Sequence, residues 1–106
     1  MAWRRKNPER DLNWAVSQEV IKARDSAGLT QREVWEALGL TDKTRNSYLR
    51  LEYSETLWSV EKLDAVARVL HTTASALLAA AEVRVQNETS ADDPPNDPWI
   101  AALTGQ

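Results

Sequence analysis

The chain has 106 residues, 42% hydrophobic and 27% charged, the balance expected of one globular domain with room for a tail. It holds no cysteine, which excludes disulfides and thiolate metal sites, and no apolar run approaches the ~20 residues of a membrane span. The basic start, MAWRRKNPER, is followed by no apolar segment of signal-peptide length, so a cytoplasmic protein with no membrane partner is expected. The net charge of −3 is unevenly spread: residues 1–53 carry 10 Lys and Arg against 8 Asp and Glu, hence +2, and residues 54–106 carry 3 against 8, hence −5. A nucleic-acid face needs local positive charge, not a basic whole, so this asymmetry permits such a face without arguing for it.

Phenylalanine is absent, only three glycines and four prolines punctuate the chain, and no stretch alternates apolar and polar residues. An all-α fold of five helices is therefore expected. In the first, Leu12, Val16, Val20, Ala23 and Ala27 recur at three- and four-residue spacing and share one face, and Gly28 ends it. Thr30 opens the second with Glu33 as the return partner of a capping box; Val34, Trp35 and Leu38 form the inner face and Gly39 stops it. The third covers about residues 43–53. Tyr48 and Leu51 point inward there, with Arg45, Asn46 and Leu49 on the other side and Arg50 beside them.

Ser59 caps a fourth helix over residues 60–70, with an apolar stripe of Val60, Leu63, Val66, Ala67 and Leu70. Thr73 caps a fifth, from 74 to about 85, with Leu77 and Leu78 facing the core. Beyond it, VQNETSADDPPNDP has the composition of a disordered acidic linker. The last residues, DPWIAALTGQ, carry the punctuation of a short helix over 98–104: Asp97 at the cap, Pro98 first and Gly105 past the end. So short a helix needs a partner for Trp99, Ile100 and Leu103, and a docked helix and a frayed tail are equally compatible with these residues. The division expected is a basic N-terminal arm (1–11), a helical domain (12–86) and a flexible acidic tail (87–106).

Several phrases in order carry a resemblance. AGLTQREV looks like "GLTQEEL", LGL follows as a turn, and YLRLE is similar to "ISRIE". SVEKLDAVARVL looks like "SLETLEKIAKAL", and TASALL matches the start of a fifth helix. Over roughly residues 20–78 the chain thus resembles the phage repressor and Cro family of helix-turn-helix DNA-binding domains.

The resemblance implies a five-helix repressor-like fold whose third helix lies in the major groove. It implies base contacts from Arg45, Asn46 and Arg50, and phosphate contacts from Thr30 and Gln31, with Lys43, Thr44, Ser47 and Tyr53 as weaker candidates. It also implies a partly buried ion pair between Arg24 and Glu52. The chemistry is apt: arginine can give guanine two parallel hydrogen bonds, asparagine can do the same for adenine, and a helix N-terminus favours an anion.

Two departures from the family pattern bear on the contacts. Leu38 lies fourteen residues before Glu52 where the family spacing is about eleven, so three extra residues fall in LTDKT. Either they extend the third helix, capped by Thr41 or Asp42, or they lengthen the turn, capped by Thr44; the longer helix is the preferred of the two. Ser54 stands where the family favours glycine. Elsewhere, Trp35 reads as a core residue. Arg4, Arg5 and Lys6 read equally as a minor-groove arm or as an idle basic tail.

A lone His71 at the end of the fourth helix, no cysteine and no glycine-rich phosphate loop leave no catalytic, metal or cofactor site to expect. The expected function is that of a sequence-specific double-stranded DNA-binding transcriptional regulator, with repression favoured over activation. It would act as a homodimer on an inverted-repeat operator, with Trp99, Ile100 and Leu103 as candidate dimer or partner contacts. The alternative is a protein-interaction module on the same fold, of antitoxin or anti-regulator type, binding a protein partner through its acidic tail.

Overall fold

The structure, a computed structural model, describes residues 10–92, with side chains described to residue 87. The chain is all-α, and the described residues form five helices and no strand. These are α1 (Leu12–Ser26), α2 (Gln31–Ala37), α3 (Asn46–Glu52), α4 (Val60–Val69) and α5 (Ala74–Asp92). Trp3, Arg4, Arg5 and Lys6 of the arm, and Trp99, Ile100 and Leu103 with the helix expected over 98–104, lie outside the described residues. Among the described residues no helix is long and apolar enough to cross a membrane.

Local chemistry accounts for the starts of four helices. The Asp11 carboxylate accepts from Trp14 N at 2.9 Å, Thr30 Oγ1 from Glu33 N at 3.1 Å, Ser59 Oγ from Lys62 N at 3.1 Å and Thr73 Oγ1 from Ala76 N at 3.1 Å. Each bond occupies an amide that the first helical turn leaves without a backbone partner. At Thr30 the box is complete, since Glu33 Oε1 accepts from Thr30 N at 2.9 Å.

The ends of α1 to α4 share one device. After each, the residue past the cap is left-handed and two backbone bonds fold the chain back over the last turn. Gly28 and Gly39, at φ +71° and +86°, serve α1 and α2. Ser54 and His71, at φ +58° and +59°, serve α3 and α4. The exit of α3 thus adopts a glycine-type conformation with serine in the place. The reason is tertiary: buried Ser54 Oγ accepts from Asn13 Nδ2 at 3.1 Å. The same Asn13 donates to the Thr56 carbonyl at 3.1 Å and accepts from Trp58 N at 2.8 Å, binding the α3–α4 loop to α1.

The core is built from Ala15, Val16 and Val20 of α1, Val34 and Trp35 of α2, Tyr48 and Leu51 of α3, Leu63, Val66 and Ala67 of α4 with its cap residue Leu70, and Leu77 and Ala81 of α5. Helix α1 packs chiefly along α5, where Arg84 Nε meets Glu19 Oε2 at 2.7 Å. Ser17 is wholly buried in this core: its hydroxyl donates to the Leu51 carbonyl at 2.6 Å and accepts from Trp58 Nε1 at 2.9 Å.

Some expected positions differ. Leu12 and Leu78 are 43% and 38% exposed, Val60 is 82% exposed, and Ala27 is also at the surface. Helical spacing puts residues on one face but does not say how far along the helix a neighbour covers it. Val60 and Leu12 stand at first turns that extend beyond the core, and with Leu78 and Trp58 they line an open apolar cleft. Helix α5 runs to Asp92, past the boundary expected near residue 86. Polar composition alone does not stop a helix.

Because His71 is exposed in a left-handed position and, among the described residues, no side-chain bond holds it there, His71→Gly should stabilise the fold by roughly 1 kcal/mol. Ser54→Gly should gain less or lose, since it forfeits the Asn13 bond. Denaturant unfolding of the two variants reads the difference directly.

Candidate nucleic-acid interface

Helix α2, the turn after Gly39 and helix α3 form the unit that carries the candidate residues. Its position depends on one carboxylate. Glu52, with its side chain 1% exposed, accepts from Arg24 Nε at 2.8 Å and Nη2 at 3.3 Å, from Gln31 Nε2 at 2.9 Å, and from the Tyr48 hydroxyl. Arg24 also donates to the Leu29 carbonyl at 3.0 Å. One buried anion therefore gathers donors from α1, α2 and α3. Among the described residues no buried polar side-chain atom lacks a partner.

The electrostatics follow from burial and this pairing. Burial works against the charge on Arg24, but the hydrogen bond and charge of Glu52 outweigh it, and its pKa is raised. Burial, and then the adjoining Glu52 carboxylate, push the Tyr48 phenol well above its ordinary value of 10.0.

Four of the phosphate candidates, Thr30, Gln31, Thr44 and Tyr53, are already engaged within the chain. Thr30 is committed to its cap, though its exposed position leaves the helix N-terminus open. Gln31 turns its amide nitrogen inward, to Glu52 and, at 3.4 Å, to the Tyr53 hydroxyl. Thr44 Oγ1 accepts from Thr41 N at 2.8 Å. Lys43 is exposed in the turn, and Ser47 is exposed beside an apolar cleft shared with Leu38, Leu40 and Lys62.

Of the two forms expected, the structure has the longer turn and not the preferred longer helix, with Arg45 instead of Thr44 as the cap. Residues 41–45 close a turn of their own, in which Arg45 N donates to the Thr41 carbonyl at 2.7 Å and Lys43 N to Thr41 Oγ1 at 3.3 Å. Arg45 is then the cap residue of α3 and makes no side-chain cap bond, so α3 starts at Asn46 instead of about residue 43. Thr44 does not cap it; its hydroxyl is held by Thr41, the local bond being available at shorter range.

The outward row of α3 is consequently Asn46, Arg50 and Tyr53, at four- and three-residue spacing, with Arg45 at its leading end. Leu49, expected beside Arg45 and Asn46, instead packs half-buried against the core, because that flank of so short a helix lies over its neighbours. Arg50 is half-buried and Asn46 exposed. Among the described residues, neither Arg50 nor Lys43 has a carboxylate within ion-pair reach. Arg45 does: Asp42 Oδ1 lies 3.9 Å from its Nη1 and 3.0 Å from Arg32 Nη2. Arg32 lies over the Trp35 ring at 4.9 Å and bonds Glu36 at 3.3 Å. Sequence reading missed this cluster. The Arg32 and Glu36 spacing signals their pairing, but nothing local signals Asp42, ten residues away.

No family model, curated protein or solved structure matches the chain.

Removing the Glu52 carboxylate leaves Arg24 and Tyr48 buried without their acceptor. Glu52→Ala should therefore destabilise the fold by about 3 kcal/mol or more and weaken any ligand binding only in consequence. An unchanged melting temperature would overturn this. For Tyr48, the unfolded phenol loses its proton near pH 10 while the folded one keeps it. Its contribution to stability is thus full below pH 10 and lost as pH rises above it. Between pH 10 and 11.5 the unfolding free energy should fall more steeply for the wild type than for Tyr48→Phe, by up to about 1.4 kcal/mol per pH unit.

Proposed function

We propose that the chain is a sequence-specific double-stranded DNA-binding regulator of transcription, in the first instance a repressor, reading the major groove with α3. The observation that carries this reading is the outward row of exposed Asn46 and half-buried Arg50 behind Arg45, on a short helix that a buried ion-pair network holds in one orientation. A helix of this size fits the major groove, and base edges there are distinguished by the bidentate bonds that arginine and asparagine offer. Supporting positive charge comes from Lys43 in the adjoining turn, and the open amino end of α2 at Thr30 suits a backbone phosphate. Gln31 and Thr44 enter this reading as positioning groups, since their polar atoms are engaged within the chain.

A homodimer on an inverted repeat is the proposed working form, with half-sites about one DNA turn apart. The apolar cleft of Leu12, Trp58, Val60 and Leu78 also favours contact with protein, which keeps a partner-binding module of antitoxin or anti-regulator type as the second reading.

Selection of random duplex DNA by the purified protein at near-physiological salt separates the two. A regulator enriches an inverted repeat, and Arg50→Ala or Asn46→Ala then weakens binding by about 1–3 kcal/mol while relaxing preference at one base position. A folded protein that enriches nothing, or whose partner binding survives substitution of both Arg45 and Arg50, would be a partner-binder.

A further inference from the structure

Asp42 occupies an unusual place for an acidic residue: it stands between two arginines in the turn before α3, next to Arg45 at the helix's leading end. We propose that Asp42 sets how sharply this face separates an operator from random duplex DNA, an inference that rests on the DNA-binding reading above.

The carboxylate is within hydrogen-bond distance of one arginine and farther from the other. Arg32 binds it at 3.0 Å and is itself fixed by the Trp35 ring and by Glu36. The turn beneath is closed by Thr41, which receives Arg45 N on its carbonyl and Lys43 N on its hydroxyl. Asp42 therefore places a negative charge on an exposed turn, tied to α2 by a solvent-exposed ion pair. Toward Arg45 the distance is 3.9 Å, which is Coulombic range and too long for a hydrogen bond. The charge of Arg45 is partly compensated, but its N–H donors remain free.

Those two properties matter differently for the two kinds of contact. Phosphate binding depends on net positive charge and counterion release, so an anion beside Arg45 and Lys43 weakens it. Reading a base edge depends on directed pairs of hydrogen bonds, which the free donors of Arg45 still supply. A carboxylate at this position lowers affinity for random duplex more than for an operator, and so raises their ratio. It acts through Arg45 and Lys43 and is a positioning and screening residue, not a contact.

The test uses the full chain and Asp42→Asn, titrated against a random-sequence duplex and against the duplex enriched by selection, over a series of salt concentrations. Asp42→Asn should bind random duplex about five-fold more tightly near physiological salt, the order expected for one unit charge about 4 Å from another in water. Its logarithmic salt slope on random duplex should steepen by about one. Operator affinity should rise about two-fold or less, so the specificity ratio falls, and Asp42→Glu should keep the wild-type ratio. Equal shifts on both duplexes, or an unchanged slope, would overturn the inference. A lowered melting temperature with both affinities reduced together would instead make Asp42 a brace for the turn. If folded wild-type protein binds neither duplex, the DNA-binding reading has failed and this inference falls with it.

Discussion

The buried carboxylate of Glu52 is the constraint on which the rest depends. An anion taken from water is costly unless its lone pairs are filled, and here Arg24, Gln31 and Tyr48 fill them from three helices. Each donor has a direction, so the network orients α1, α2 and α3 more narrowly than apolar contact would. Val34, Trp35 and Leu51 supply the area removed from water, which is non-directional and would tolerate small rotations of a seven-residue helix. The same bonds take the amide of Gln31 away from the surface. Rigidity and the surface chemistry of the interface are thus coupled through one residue.

A second layer of constraint comes from the ways the helices end. Four consecutive helices stop in the same left-handed reversal, and the two that lack glycine show different solutions. Ser54 is placed in a strained backbone region yet is retained by Asn13, whose side chain also grips the Thr56 carbonyl and Trp58 amide. His71 has only its backbone bonds in the reversal and stands in the open. Ser17 adds a further bridge, taking the Trp58 indole N–H and passing a hydrogen bond to the last turn of α3. The loop after α3 is therefore tied to α1 at several points, which keeps the carboxyl end of α3 as firmly placed as its core face.

The amino end of α3 is governed differently. Residues 41–45 form a self-contained turn bound to α2 by the Arg32–Asp42 pair. A helix continued back through residues 43–45 would be nearly one turn longer, but the closed turn leaves α3 to start at Asn46. The face is displaced toward Arg45, Asn46, Arg50 and Tyr53, and a carboxylate is introduced at its edge.

Much of this was legible in the residues alone, because it is local. The five helices, the caps at Thr30, Ser59 and Thr73, and the stops at Gly28 and Gly39 follow from short-range hydrogen bonding and backbone sterics. The candidate face was legible as a set of residue types, Arg45, Asn46 and Arg50, on one helix. What only the tertiary structure decided were pairings between distant residues and the extent of each buried face. Asn13 with Ser54, Ser17 with Trp58, and Arg32 with Asp42 leave no periodic trace, since each joins residues whose spacing is set by packing. Val60, Leu78 and Leu49 illustrate the same limit: the 3.6-residue period gives a side chain its direction, but burial depends on whether another helix reaches that far. The continuation of α5 to Asp92 shows the converse case, in which polar composition suggested an end that backbone sterics do not require.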